Sequence, residues 1–419
     1  MSFFRRESLQ VFENRDFRLF ILARFLLTLG VQMQFSTIYL QIYYEYSKEE
    51  LTLGLIGLSE AVPFIITSLF SGHYADKLHK RRILIVTTFL LVVSGCLLSL
   101  NAHAHIQLLK SAGMLALFGM VCAFGIIRSF LAATANPFIS QLVPRNMYTH
   151  SATWNSTAWH TGAILGPVLS GLIYGYNNTF NGYACHLIET VVLVLAMLAF
   201  ILIRNSGAPH MEMKKESIFD SMKVGLQFVF KQKMVLSAIS LDLFAVLFGG
   251  AVALIPAFTD KILHLGPSAY GLLRTAPAIG AVFMAMVMVV YPPGKKAGLA
   301  LLWSVVAFGV FTILFAFSTN YWVAFLMLFA TGAFDNVSVV VRHSILQLMT
   351  PDHMRGRVSA INSIFIGSSN EIGAFESGLT AKLMGLVNSI AFGGIMTILT
   401  VGIVDRANKK LRRLDITDF

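Results

Sequence analysis

Charge is what this chain has least of. Only 13% of its 419 residues are Asp, Glu, Lys or Arg, against about 25% in a soluble domain. Cysteine is scarcer still. Cys96, Cys122 and Cys185 each lie in an apolar run with no disulfide or metal spacing, which excludes a disulfide-stapled or metal-held scaffold and marks them as small core residues. Acids number 21 against 32 bases, but no basic stretch is interleaved with aromatics, so nucleic acid is not an expected partner. There is no nucleophile triad, no phosphate-binding loop and no ATP-binding domain, and "HAH" at 103–105 stands alone. Neither an enzyme nor a cofactor or metal is expected, and any work done must draw on an ion gradient. The N-terminal "MSFFRRESLQVFENRDF" lacks a short apolar core with a small-residue cleavage site, so the first apolar run is expected to be retained.

What fills the chain is apolar: 56% of residues are hydrophobic. Twelve runs, at 17–41, 51–72, 83–100, 108–131, 154–176, 184–204, 234–258, 268–291, 298–317, 321–342, 359–382 and 386–405, are close to the roughly 20 residues a spanning helix requires. Backbone groups in lipid must be satisfied within the segment, so the fold class is an all-α membrane protein with twelve transmembrane helices. Arg5, Arg6, Arg15 and Arg18 precede span one. Lys77, Lys80, Arg81 and Arg82 follow span two. More bases fill residues 205–233 and the tail, whereas the opposite loops hold little beyond Lys48, Lys110, Lys261 and Lys382. Both termini and the central loop are therefore expected on the cytoplasmic side.

The two halves repeat. "GLSEAVP" (Gly57–Pro63) aligns with "GLLRTAP" (Gly271–Pro277) at an offset of 214. "PRNMYTHSATWNS" (Pro144–Ser156) aligns with "PDHMRGRVSAINS" (Pro351–Ser363) at 207, as does "GPVLSGL" (Gly166–Leu172) with "GAFESGL" (Gly373–Leu379). The expected organisation is an N-terminal six-helix bundle (1–204), a cytoplasmic linker (205–233) and a C-terminal six-helix bundle (234–419), related by pseudo-symmetry.

"GHYADKLHKRRIL", between spans two and three, resembles the loop signature of the major facilitator superfamily: Gly72, then Asp76, then Lys77, Lys80 and Arg81, with His79 where the family usually has glycine. "NRDFRLF" (Asn14–Phe20) and "TPDHMRGRVSAINSI" (Thr350–Ile364) are similar to the same family. The latter resembles the branch of enterobactin exporters and macrolide efflux pumps, the transmembrane secretion effectors. "GAILGPVLSG" (Gly162–Gly171) resembles the span-five motif of antiporters, with Ser170 replacing one glycine. The resemblance implies a binding site near the midplane between the halves, lined by spans one, four, seven and ten. It also implies a cytoplasmic gate of Gly72, Asp76, Lys77, Lys80 and Arg81, in which Asp76 meets the positive N-terminus of span eleven.

Ionisable groups deep in spans cost at least about 2.5–3.5 kcal/mol each and usually mark function. Here they are Arg24, Glu60, Arg128, Asp242, Arg274, Asp335, Glu371 and Glu376, while Glu189 is close enough to an end of span six to be interfacial. Repeat-related positions carry opposite signs: Glu60 with Arg274, Arg128 with Asp335, and Arg24 with Asp242 within about one residue. Asp335, Asp242, Glu371, Arg24 and Arg128 are the expected proton-coupling set, with Asp335 first among the carriers. Glu60 and Arg274 are the expected outer gate, and Gly162, Gly166, Pro167 and Gly171 the span-five hinge. Static pairing within one half is the competing reading of these charges. The expected activity is efflux of a small amphipathic molecule, siderophore-like or drug-like, in exchange for protons, by a monomer in a bacterial inner membrane. A lysolipid flippase, a solute importer and a non-transporting sensor or scaffold remain as alternatives.

Overall fold

Asn14 starts the first long helix. Its side-chain oxygen accepts the N–H groups of Asp16 (2.8 Å) and Phe17 (3.3 Å), which satisfies donors the helix itself leaves open. Its amide donates to Leu142 O at 2.6 Å. The Asp16 carboxylate accepts from the N–H groups of Arg204 (3.1 Å) and Asn205 (2.8 Å). "NRDF" thus ties the start of span one to the ends of spans four and six. Asn14→Ala removes cap and tether together. It is expected to cost about 0.5–2 kcal/mol, read as a lower unfolding temperature in detergent, with Asn14→Asp recovering the cap but not the tether.

The computed structural model describes residues 10–103, 113–144, 147–176, 181–208, 218–291, 296–351 and 354–415, and among them there is no strand. The long helices are Arg15–Gln41, Glu50–Lys77, Lys80–Ala102, Gly113–Ile139, Tyr148–Tyr174 and Gly182–Leu202, then, after a linker helix Ile218–Lys231, Lys233–Phe248, Pro267–Val290, Ala297–Ala316, Tyr321–Met349, Arg355–Met384 and Leu386–Ala407. Among the described residues, ten spans are long and apolar enough to cross a membrane. The two that are long but polar, spans five and eleven, are repeat mates. Their hydroxyls and amides bond back to their own helix, as in Thr157 to Thr153 O (2.9 Å), Ser363 to Ser359 O (3.0 Å) and Asn370 to Ile366 O (2.8 Å). Large apolar side chains lie exposed along the other spans, for example Val86, Phe89, Leu90, Val93, Leu97 and Leu100 on span three, a pattern only lipid makes favourable. Cys96 shares that exposed face and is not the core residue its setting implied.

Two boundaries differ from expectation. Span four continues through the small, polar "AATAN" to Ile139, because alanine sustains a helix that hydropathy alone ends at 131. Span seven is broken: its helix stops at Phe248 and resumes at Ile255 after a 3₁₀ turn. A Cβ on Gly250 would stand 2.6 Å from Gly373 O, so the break falls where two backbones meet, and Pro256 opens the next segment.

The chain divides into two compact units, one of Met1–Tyr46 with Val62–Lys214, the other of Ser47–Ala61 with Lys215–Phe419. In the first, span one packs on spans five and six, and span three on spans four and six. Phe20 meets Phe138 and Phe200 edge-on at 5.7 and 6.3 Å. In the second, spans eight and nine pack on span ten, and span seven on spans eleven and twelve. The repeat reappears in packing. Gly166 brings span five against Gln32 and Leu29 of span one, and its mate Gly373 brings span eleven against Val246 and Leu247 of span seven.

Candidate functional site

The second unit holds the acids expected to matter most. Asp242 of span seven forms an ion pair with Arg342 of span ten, and both are buried, at 4% and 2% exposure. The partner was missed because span ten was expected to end at residue 342, whereas the helix runs to Met349. Asp335 lies seven residues before Arg342, on the same face of that helix. It is half-buried and makes no hydrogen bond or ion pair among the described residues. The neighbouring Asn336 has a buried amide nitrogen with no partner there. Glu371 is buried on span eleven and engaged, and half-buried Glu376 accepts from Ser377 at 3.5 Å.

The first unit holds Arg24 and Arg128. Arg24 is half-buried, with its Nε making no hydrogen bond among the described residues. Arg128 stands over the Phe64 ring, 5.3 Å from its centre, a cation–π contact that partly replaces lost hydration. Glu189 is not interfacial. It is fully buried, as is His186, whose Nδ1 lies 2.9 Å from Glu189 Oε1. The three-residue spacing puts both on one face of span six, and that face turns inward.

At one end of the second unit, three of the four lysines noted outside the basic loops are in ion pairs: Lys48 with Asp260 (3.0 Å), Lys261 with Glu50 (2.6 Å) and Lys382 with Glu49 (3.9 Å). Exposed pairs of this kind contribute only about 0.2–1 kcal/mol each. The tighter contact lies beneath them. A Cβ on Gly57 would meet Glu371 O at 2.7 Å, one on Gly54 the Gly378 Cα at 3.0 Å, and one on Gly378 the Glu50 O at 2.7 Å. The first half of span two is thereby seated backbone to backbone on span eleven. Glu60, fully buried, and Arg274, half-buried, fall in this unit, and both are engaged.

The expected loop after span two is largely helix, since span two runs on to Lys77; the side chain of Asp76 within it lies outside the described residues. Lys77 is exposed, and Gly72 has nothing within 4 Å of an added Cβ. The bases here do not all face water. Lys80 is fully buried beneath Gly207, whose carbonyl accepts its N–H at 3.0 Å. Arg81 donates to the carbonyls of Phe200 (3.2 Å) and Ile201 at the end of span six, where a cation suits the helix's negative end. In span five, a Cβ added to Gly162 would stand 2.9 Å from Thr28 and Leu29, and one added to Gly166 would stand 2.6 Å from Gln32. Pro167 sits between them and the Gly171 carbonyl within the helix.

The site is thus a set of buried and half-buried charges on membrane-spanning helices, some paired and some without a partner among the described residues. The chain matches the family model described as "Transmembrane secretion effector" over residues 7–419. It is 22% identical to the staphyloferrin A transporter of Staphylococcus aureus, over 86% of this chain and 88% of that protein. It is 21% identical to the multidrug efflux pump Tap of Mycolicibacterium fortuitum, over 89% and 90%. It is likewise 21% identical to the enterobactin exporter EntS of Shigella boydii, over 84% and 82%. Among solved structures it resembles a bacterial homologue of the lysosomal transporter Spinster, with a TM-score of 0.73 and 12% identity over 96% of this chain and 99% of that one. These relatives are transporters, not enzymes.

Proposed function

The chain belongs to the transmembrane secretion effector family of major facilitator transporters, and from that premise we propose that it exports a small amphipathic molecule across a bacterial inner membrane in exchange for protons. Relatives that carry staphyloferrin A, enterobactin and multiple drugs favour a siderophore-like or drug-like cargo. The excess of bases favours both termini in the cytoplasm, and in this reading the transporter works as a monomer of two bundles, residues 1–204 and 234–419, joined by the linker 205–233.

One observation supports proton coupling most strongly. Of the two acids on facing spans, Asp242 has a fixed guanidinium partner and Asp335 has none among the described residues. A carboxylate without a counter-ion in a membrane interior is costly, and protonation is the simplest relief. Asp335 is the proposed carrier. Arg24, Arg128 and Glu371 complete the coupling set, and Asp242 holds spans seven and ten. Glu60 and Arg274, with the glycine seat of spans two and eleven, form the outer gate. Gly72, Asp76, Lys77, Lys80 and Arg81 form the cytoplasmic gate, and Gly162, Gly166, Pro167 and Gly171 let span five flex on span one.

Asp335→Asn in proteoliposomes tests this. Dye or siderophore efflux driven by a proton gradient should fall to the protein-free background. Exchange of substrate for substrate, which moves no net proton, should persist. Gradient-driven efflux at the wild-type rate would remove Asp335 from the coupling step.

A further inference from the structure

A chain of hydrogen bonds inside the first unit runs from the surface to a buried acid that the scheme above does not use. Glu45, exposed at the end of span one, accepts from Tyr174 Oη at 2.7 Å and from Gln41 Nε2 at 3.2 Å. Gln41 Oε1 lies 3.1 Å from His186 Nε2, and His186 Nδ1 lies 2.9 Å from Glu189 Oε1. Gln41, His186 and Glu189 are all fully buried. We propose that His186 and Glu189 form a proton-binding site holding one shared proton, whose state is passed through Gln41 and Glu45 to the tip of span one.

The assignment follows from donors and acceptors. An ionised carboxylate only accepts, so Gln41 must offer Glu45 its NH₂ group, and its carbonyl oxygen then faces His186. His186 Nε2 must therefore carry hydrogen. Between His186 Nδ1 and Glu189 Oε1 a single proton is required, because without it two lone pairs would face each other at 2.9 Å. Whether drawn as imidazolium with carboxylate or as imidazole with carboxylic acid, the pair holds the same one proton. When that proton leaves for water, His186 keeps its remaining hydrogen on Nδ1, against the carboxylate, and its Nε2 becomes an acceptor. Gln41 must then turn its NH₂ group to His186 and its oxygen to Glu45, so that Glu45 loses one of its two hydrogen bonds and keeps only that from Tyr174.

The surroundings leave the dyad to itself. Span three presents no ionisable group at this level; there Gly95 lies against Thr190 and the Gln34 amide. Span five supplies Tyr174, and span six also supplies Cys185, whose Sγ donates to Ser170 O at 3.6 Å. Span one supplies Gln34, 1% exposed and beside the Glu189 carboxyl. The Gln34 amide and Glu189 Oε2 make no close hydrogen bond among the described residues, and Gln34 is the polar side chain that faces the Glu189 carboxyl from span one. Residues Ile42–Tyr46 form a wide π turn, a distortion common at functional sites. Three residues beyond Glu45 in the chain, Lys48 begins the series of ion pairs in the second unit.

The use of this proton in transport rests on the proton-coupled reading above, but its binding can be read without substrate. Full-length protein labelled with ¹⁵N-histidine in lipid nanodiscs, with the ring signal assigned by loss in His186→Gln, should show hydrogen on Nε2 and a shared proton at Nδ1. When the shared proton is removed the ring should switch tautomer. Glu189→Gln should abolish the switch. Should that variant not fold, Gln41→Leu keeps the dyad and cuts the relay: a spin label at Glu49→Cys should change mobility with the tautomer switch in the parent but not in Gln41→Leu. An unprotonated Nδ1 throughout, a His186 titration unchanged by Glu189→Gln, or a label response surviving Gln41→Leu would each overturn the proposal. Loss of gradient-driven efflux in Asp335→Asn with the His186 switch intact would separate the two sites.

Discussion

Arg342→Met is expected to be the most damaging conservative-volume change in the second unit, lowering stability by about 3–5 kcal/mol, because it strands the buried Asp242 carboxylate. The arginine is not irreplaceable in itself. Its Nε makes no hydrogen bond among the described residues, so the pair recovers its desolvation cost only in part. Removing both charges should undo the harm: Asp242→Leu with Arg342→Met is expected to unfold close to the parent temperature. Thermal unfolding in detergent of the two single variants and the double gives the coupling directly. If Asp242 serves the fold and Asp335 the proton, the double variant should retain gradient-driven efflux, and Asp335→Asn should lose it at near-normal stability. Equal stability of Arg342→Met and the parent would show that the pair is not formed in the protein.

Gly57→Leu should act on conformation rather than folding. Its side chain would enter the seat of span two on span eleven, where even a Cβ lies 2.7 Å from Glu371 O. Overpacking of this kind costs about 1–3 kcal/mol. Because the clash exists only when the seat is closed, that cost should move the open-to-closed balance about five- to hundredfold toward open, at 1.4 kcal/mol per decade. Efflux should fall, and a membrane-impermeant thiol reagent should reach cysteines placed beneath the seat. Gly402→Ala in span twelve is the control. With nothing within 4 Å of its Cβ and a helical setting that favours alanine, it should leave efflux and unfolding temperature unchanged.

Ten spans were legible because hydropathy is a whole-segment property, whereas spans five and eleven fall short of that measure and are tied together by the repeat. The repeat was legible because the same glycines serve the same close approach in both units, Gly166 on span one and Gly373 on span seven. The break in span seven was hidden because Gly249 and Gly250 interrupt neither length nor hydropathy; Gly250 answers to the Gly373 backbone more than a hundred residues away, and Gly249 to the Phe308 ring. Arg342 was missed for a local reason: polar residues after 342 read as the end of a span, though the helix carries two further turns. Glu189 was misjudged by counting from the span end alone. Its partner, His186, stood three residues earlier and was the available signal, because two ionisable groups on one face of an apolar helix satisfy each other inside the protein. The match of specific charges to gating roles is set by three-dimensional neighbours and does not follow from composition or spacing.

The central claim is that the seat of spans two and eleven opens and closes during transport under control of a proton. The most direct test is the distance between spin labels at Glu49→Cys and Leu383→Cys, the latter 74% exposed, in protein with Cys96 and Cys122 changed to alanine. Two distance populations should appear, with a ratio that moves with pH in the parent and not in Asp335→Asn. A single distance at every pH, in protein that still performs efflux, would contradict the account.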